Sequence, residues 1–104
     1  MNGRPVIKGA PLKYTVVYYV EADSYETLEA AVEYVMRRLG SGLVGYSCGP
    51  HACLCGIELE WSGGLLVVRT CAEGAAHAAA RLLIRAYIWL GGKEIQVVRH
   101  WEEP

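Results

Sequence analysis

Between Lys13 and Trp101 the spacing of apolar residues changes from every second position to helical steps and back, and the order of those changes constrains the fold more than anything else in the chain. A half-buried strand needs an apolar side chain at alternate positions and an amphipathic helix needs one at three- and four-residue steps, so each change marks an element. Tyr14, Val16, Tyr18 and Val20 alternate with Thr15, Val17, Tyr19 and Glu21, predicting a first strand whose second face is also fairly apolar. Asp23 with Glu26 fits a capping box, Ser24 competes as the N-cap, and Leu28, Ala31, Val32, Val35, Met36 and Leu39 then form a helical stripe ending at Gly40. Ile57, Leu59 and Trp61 alternate with Glu58 and Glu60, and Ser62-Gly63-Gly64 turns this strand back into Leu65–Thr70. A second helix is expected over residues 73–90, closed by Gly91-Gly92. Strict alternation in the last strand would put Ile95, Val97, Arg99 and Trp101 on one face and Gln96, Val98 and His100 on the other.

Strand, helix, strand, strand, helix, strand reads as an α+β ferredoxin-like split βαβ sandwich (βαββαβ), an antiparallel sheet with two helices on one face. Residues 43–56 have room for an extra hairpin that turns at Gly49-Pro50. With 104 residues, 53% of them hydrophobic, the chain fits one domain over residues 13–104, preceded by a flexible arm over residues 1–12 that holds Gly3, Pro5, Gly9 and Pro11. No apolar run approaches the ~20 residues that cross a bilayer, and the start lacks the apolar core of a signal peptide, so the expected compartment is the cytoplasm. Scarce amides, Asn2 and Gln96 alone, together with short connections, match the bias of hyperthermophile proteins. A net charge of −1 gives no general attraction to nucleic acid or to anionic membranes.

The second helix is almost wholly apolar, with one narrow polar stripe of His77, Arg81 and Arg85. A helix on one side of its own sheet should show a broader wet face, so a second covering surface is expected from a heterologous protein subunit or from a second copy. His77, Arg81, Ile84, Arg85, Ile88 and Trp89 are the candidate interface residues. Alanine tolerated at the surface is the simpler alternative.

Cys48, His51, Cys53 and Cys55 form the densest group of metal-ligand types, and Cys71 follows later. Their spacing matches no structural zinc knuckle, although Cys53 and Cys55 on a strand would share a face that suits zinc or another soft metal. Buried inert thiols, or a disulfide from Cys48 or Cys53 to Cys71 or to another chain, stand as alternatives. Phosphate-binding Gly-rich loops, zinc-protease helices and Ser-His-Asp signatures are absent from the sequence. An acylphosphatase would need an Arg in the loop after the first strand, which reads Glu21-Ala22-Asp23-Ser24, so no catalytic residue is assigned. Base stacking across the sheet would need aromatics on the third core strand, which has none. Phosphate contact is left to local groups: Arg37 with Arg38, Arg81 with Arg85, and Arg69, Lys93 and Arg99.

Gly64 to Arg69, then Ala79-Ala80-Arg81-Leu82-Leu83-Ile84, then Gly92 to Arg99, resembles the C-terminal half of archaeal ribonuclease P protein component 2, and Lys13-Tyr14 is similar to that family's opening. The resemblance implies a non-catalytic subunit of a tRNA 5′-processing ribonucleoprotein. In such an assembly RNA performs the hydrolysis and the subunit pairs with another protein. The competing reading is a self-associating module that binds a metabolite or a metal between subunits.

Overall fold

A computed structural model describes residues 12–40 and 42–104, so the expected arm lies, Leu12 apart, outside the described residues. The elements run β1 (Tyr14–Ala22), α1 (Tyr25–Arg38), β2 (Leu43–Cys48), β3 (His51–Ser62), β4 (Leu65–Thr70), α2 (Glu73–Trp89) and β5 (Ile95–Glu103). All pairings are antiparallel, in the order β2-β3-β4-β1-β5, and the five strands curl into a half-barrel. α2 packs near every strand, and α1 packs along α2.

This architecture overturns the expected ferredoxin-like sandwich with two helices on one face. The inward alternation of Trp61, Leu59 and Ile57 does not stop at Gly56. It continues through Cys55 and Cys53, so β3 is twelve residues long. β2 pairs along that extension from Leu43 opposite Gly56 to Cys48 opposite His51. The hairpin is therefore a full edge of the sheet, and the added strand lengthens the wall that curls around α2.

The sheet, α1 and α2 share one core built on Val16, Tyr18, Leu28, Val35, Leu66, Val68, Leu83 and Tyr87. Ala75, Ala76, Ala79, Ala80 and Ala86 are all buried, which lets the α2 backbone approach its neighbours closely. The apolar surplus of α2 is thus largely used within the chain, with α1 as the second cover.

Tyr87 pins the connections at one end of the core. Its hydroxyl donates to Asp23 Oδ1 and accepts from the Ser24 backbone N–H at 2.9 Å, while Asp23 Oδ1 also accepts from the Glu94 N–H at 3.1 Å. The Tyr87 hydroxyl, followed by that N–H, holds the Asp23 carboxyl below its ordinary range. Asp23 being engaged there, Ser24 caps α1 by accepting from the Thr27 N–H at 3.2 Å. A Cβ at position 92 would enter the Tyr87 ring, which explains the second glycine after α2.

β5 departs from strict alternation. Its pairing with β1 shifts between Tyr19 opposite Arg99 and Val20 opposite Val97, which leaves Val98 as a bulge. Directly opposed residues share a face, so Ile95, Val97 and His100 point toward α2, whereas Arg99 and Trp101 lie on the outer face with Val17 and Tyr19. The expected grouping of Ile95 and Val97 with Arg99 and Trp101 is corrected by this one extra residue.

Candidate functional site

The seven basic residues proposed for phosphate contact do not form one patch. Arg37 is 3.6 Å from Glu33 one helical turn away. Arg69 sits on the outer sheet face, 3.7 Å from Glu58 and 3.6 Å from Glu60, and Arg99 lies over the Trp101 ring on that same face, 5.1 Å from its centre. Lys93 borders a hollow that also contains Glu21, Asp23 and Glu94, a setting that repels phosphate.

Arg38, Arg81 and Arg85 do converge. They line a single groove of about 550 Å³ bounded by the last turn of α1, the β2–β3 hairpin and α2. Leu39, Leu82 and half-buried Tyr46 give it an apolar wall, and no carboxylate lines it. Among the described residues no acidic group lies within ion-pair distance of these three guanidiniums.

The proposed interface residues also divide. Ile88 and Trp89 are exposed at the end of α2, followed by exposed Leu90, and the Trp89 ring meets Tyr34 of α1 edge to face at 5.7 Å. Arg85 joins this surface, which also includes Leu82. Ile84 is half-buried and borders both this surface and the hollow beside β1 and β5, whereas His77 lies on the latter flank, away from Trp89.

His77 belongs to a cluster that alternation along β5 concealed. The Tyr18 hydroxyl lies 2.6 Å from His77 Nδ1, His77 Nε2 lies 3.5 Å from a Glu73 carboxylate oxygen, and the His100 ring stacks on Tyr18 with centres 5.6 Å apart. Burial foremost, then the Glu73 charge, raises the Tyr18 pKa, while Arg81 opposes the shift. The hydroxyl therefore keeps its proton and shares a hydrogen bond with His77 Nδ1. A phenol that holds its proton this firmly is a poor base or nucleophile, and the cluster reads as a polar pin between α2 and the sheet. The only sequence signal for it would have been the bulge at Val98, which no turn residue announces.

The four cysteines pair as Cys48–Cys53 and Cys55–Cys71, with Cα atoms 5.9 Å apart in each pair, inside the usual range for disulfides. Of the alternatives of inert thiols or a disulfide from Cys48 or Cys53 to Cys71 or to another chain, none describes this pairing: the extended β3 carries Cys55 to Cys71, and Cys48, opposite His51, bonds diagonally to Cys53 within the hairpin. Around the second bond the Thr70 hydroxyl donates to the Gly56 carbonyl at 2.7 Å, and the Cys71 N–H donates to Cys55 Sγ at 3.0 Å. His51 is exposed at the start of β3. With both bonds closed, Cys48, Cys53 and Cys55 offer no thiolate to zinc, and the described residues contain no group of three His, Cys, Asp or Glu placed to hold a metal ion.

No family model, curated protein or solved structure matches the chain. No helix among the described residues is long and apolar enough to cross a membrane.

Proposed function

We propose that this protein is a non-enzymatic binding subunit whose protein partner covers the C-terminal end of α2. The observation that carries this reading is the run Ile88, Trp89 and Leu90, exposed at 50%, 74% and 48%. Ile88 and Trp89 share one apolar surface with Tyr34, Leu90 follows them exposed, and Trp and Arg are the side chains that most often dominate binding energy at the centre of an interface. Trp89 with Arg85 beside it supplies both.

The assembly we name is a ribonucleoprotein of the ribonuclease P kind, on the strength of the resemblance in β4, α2 and β5, with the subunit supporting tRNA 5′ processing. Two disulfides accord with a cytoplasmic protein only in a hyperthermophile, where intracellular disulfides persist, and the scarcity of amides points the same way.

Affinity purification of the tagged chain from its native cells, with identification of the co-purifying protein and RNA, tests the proposal. A stoichiometric protein partner should be recovered with the wild type and lost with Trp89→Glu, whose exposed position spares the fold. Enrichment of ribonuclease P RNA in the same eluate is the expected sign of that assembly. A Trp89-dependent homodimer would make the partner a second copy, and equal recovery of a partner with both chains would refute the role of this surface.

A further inference from the structure

We infer that the groove ringed by Arg38, Arg81 and Arg85 is a binding site for a small oligophosphate-bearing molecule with an apolar or aromatic body, of which a nucleoside diphosphate is the type. The groove borders the partner surface around Trp89, with Leu82 and Arg85 lining both, but the inference rests on Arg38 and Arg81 and does not need a protein partner at Trp89.

Arg81 and Arg85 are one helical turn apart, about 6 Å along the axis of α2, and like charges in that relation destabilise a helix. Arg38 is brought to the same groove from another helix, and none of the three has a carboxylate partner among the described residues. Elsewhere Arg37 faces Glu33, Arg69 faces Glu58 and Glu60, and Arg99 stacks on Trp101. A cluster of uncompensated cations departs from that local consistency, and such departures are expected where a ligand supplies the missing charge.

Each guanidinium is a planar fork that can hold two phosphate oxygens, so three of them match the several charges of a diphosphate better than one phosphate. The carbonyls at the C-terminal end of α1 disfavour an anion, and Arg38 in the last turn offsets them.

Arginine stripes on an open helix face would suit any polyanion, but here the cations rim a concavity walled by Leu39, Leu82 and Tyr46. Its volume of about 550 Å³ falls within the span of roughly 300–1,000 Å³ typical of small-molecule sites, which combine an apolar lining with a few polar groups. The chain as a whole carries −1, so binding should follow this local geometry and not general attraction to nucleic acid.

Calorimetric titration of the full chain with ADP, pyrophosphate, inorganic phosphate, adenosine and a short single-stranded RNA tests the inference. ADP should bind more tightly than pyrophosphate, pyrophosphate more tightly than phosphate, and adenosine undetectably. Arg38→Ala and Arg81→Ala should each weaken ADP by on the order of tenfold while leaving the ligand-free melting temperature unchanged, and Arg69→Ala should leave ADP binding intact. Pyrophosphate and ADP giving no saturable heat at millimolar concentration would overturn the site, as would affinities unchanged in both arginine variants. RNA binding that needs Arg38 and Arg81 where ADP does not bind would overturn the small-molecule assignment.

Discussion

Tyr87 and Asp23 show how one side chain can fix a junction between elements. The phenol is fully buried, its hydroxyl is shared between a carboxylate and a backbone N–H, and its ring leaves no room at position 92 for anything larger than hydrogen. Gly92→Ala should therefore displace the ring and cost about 1–3 kcal/mol, the usual penalty of overpacking, read as a lower urea midpoint with an unchanged m-value. The same site sets a pH dependence. Because the folded chain holds the Asp23 carboxyl below its ordinary pKa of 3.8, the unfolded chain takes up the proton first on acidification. The stability lent by Asp23 is then complete above that value and is lost as pH falls through and below it. Asp23→Asn, which keeps an oxygen acceptor and removes the charge, should flatten the acid limb of a stability profile measured from neutral pH down to about pH 2, and an acid limb as steep as the wild type's would exclude Asp23 as its source.

At the scale of single elements, β5 and α2 were read with unequal success for identifiable reasons. The buried stripe of α2 follows from its sequence period, and its polar positions Arg81 and Arg85 are exposed as that period requires. β5 contains a bulge, and a bulge leaves hydrophobicity alternating on both sides while reversing the faces between them, so residue type alone could not locate His100 beside Tyr18. Deleting Val98 should remove the bulge and keep His100 against Tyr18, with nuclear Overhauser contacts between the two rings retained. If β5 were regular, the same deletion would move residues 99–103 to the opposite faces and those contacts would vanish. On α2, Leu83→Glu would bury an unpaired charge at a position only 1% exposed and should prevent folding, whereas Arg81→Glu at the exposed face should leave the circular dichroism spectrum and melting temperature close to wild type.

At the scale of the molecule, element type was legible almost throughout, because periods of two and of three to four survive any arrangement of the elements. Closure of the sheet was not legible, since it depends on how far β3 runs. Gly56 and three closely spaced cysteines read locally as an irregular loop, and only the pairing of β2 with β3 makes them strand, on either side of the expected turn at Gly49-Pro50. The groove of Arg38, Arg81 and Arg85 was equally hidden, because it exists only once that hairpin stands beside α2 and the end of α1. The disulfides bear on the same closure in different degrees. Cys48–Cys53 spans five residues within a hairpin, whereas Cys55–Cys71 spans sixteen and ties β3 to the segment entering α2. By chain entropy the shorter link should contribute about 2 kcal/mol and the longer about 3 kcal/mol. The double substitution Cys55→Ala with Cys71→Ala should accordingly lower stability more than Cys48→Ala with Cys53→Ala, and by more than the entropic difference, because Cys55 is fully buried and its loss also leaves space in the core. Guanidinium unfolding of both pairs of variants provides the comparison. The reverse ranking would mean that the hairpin link, and with it the edge strand β2, governs how the half-barrel holds together.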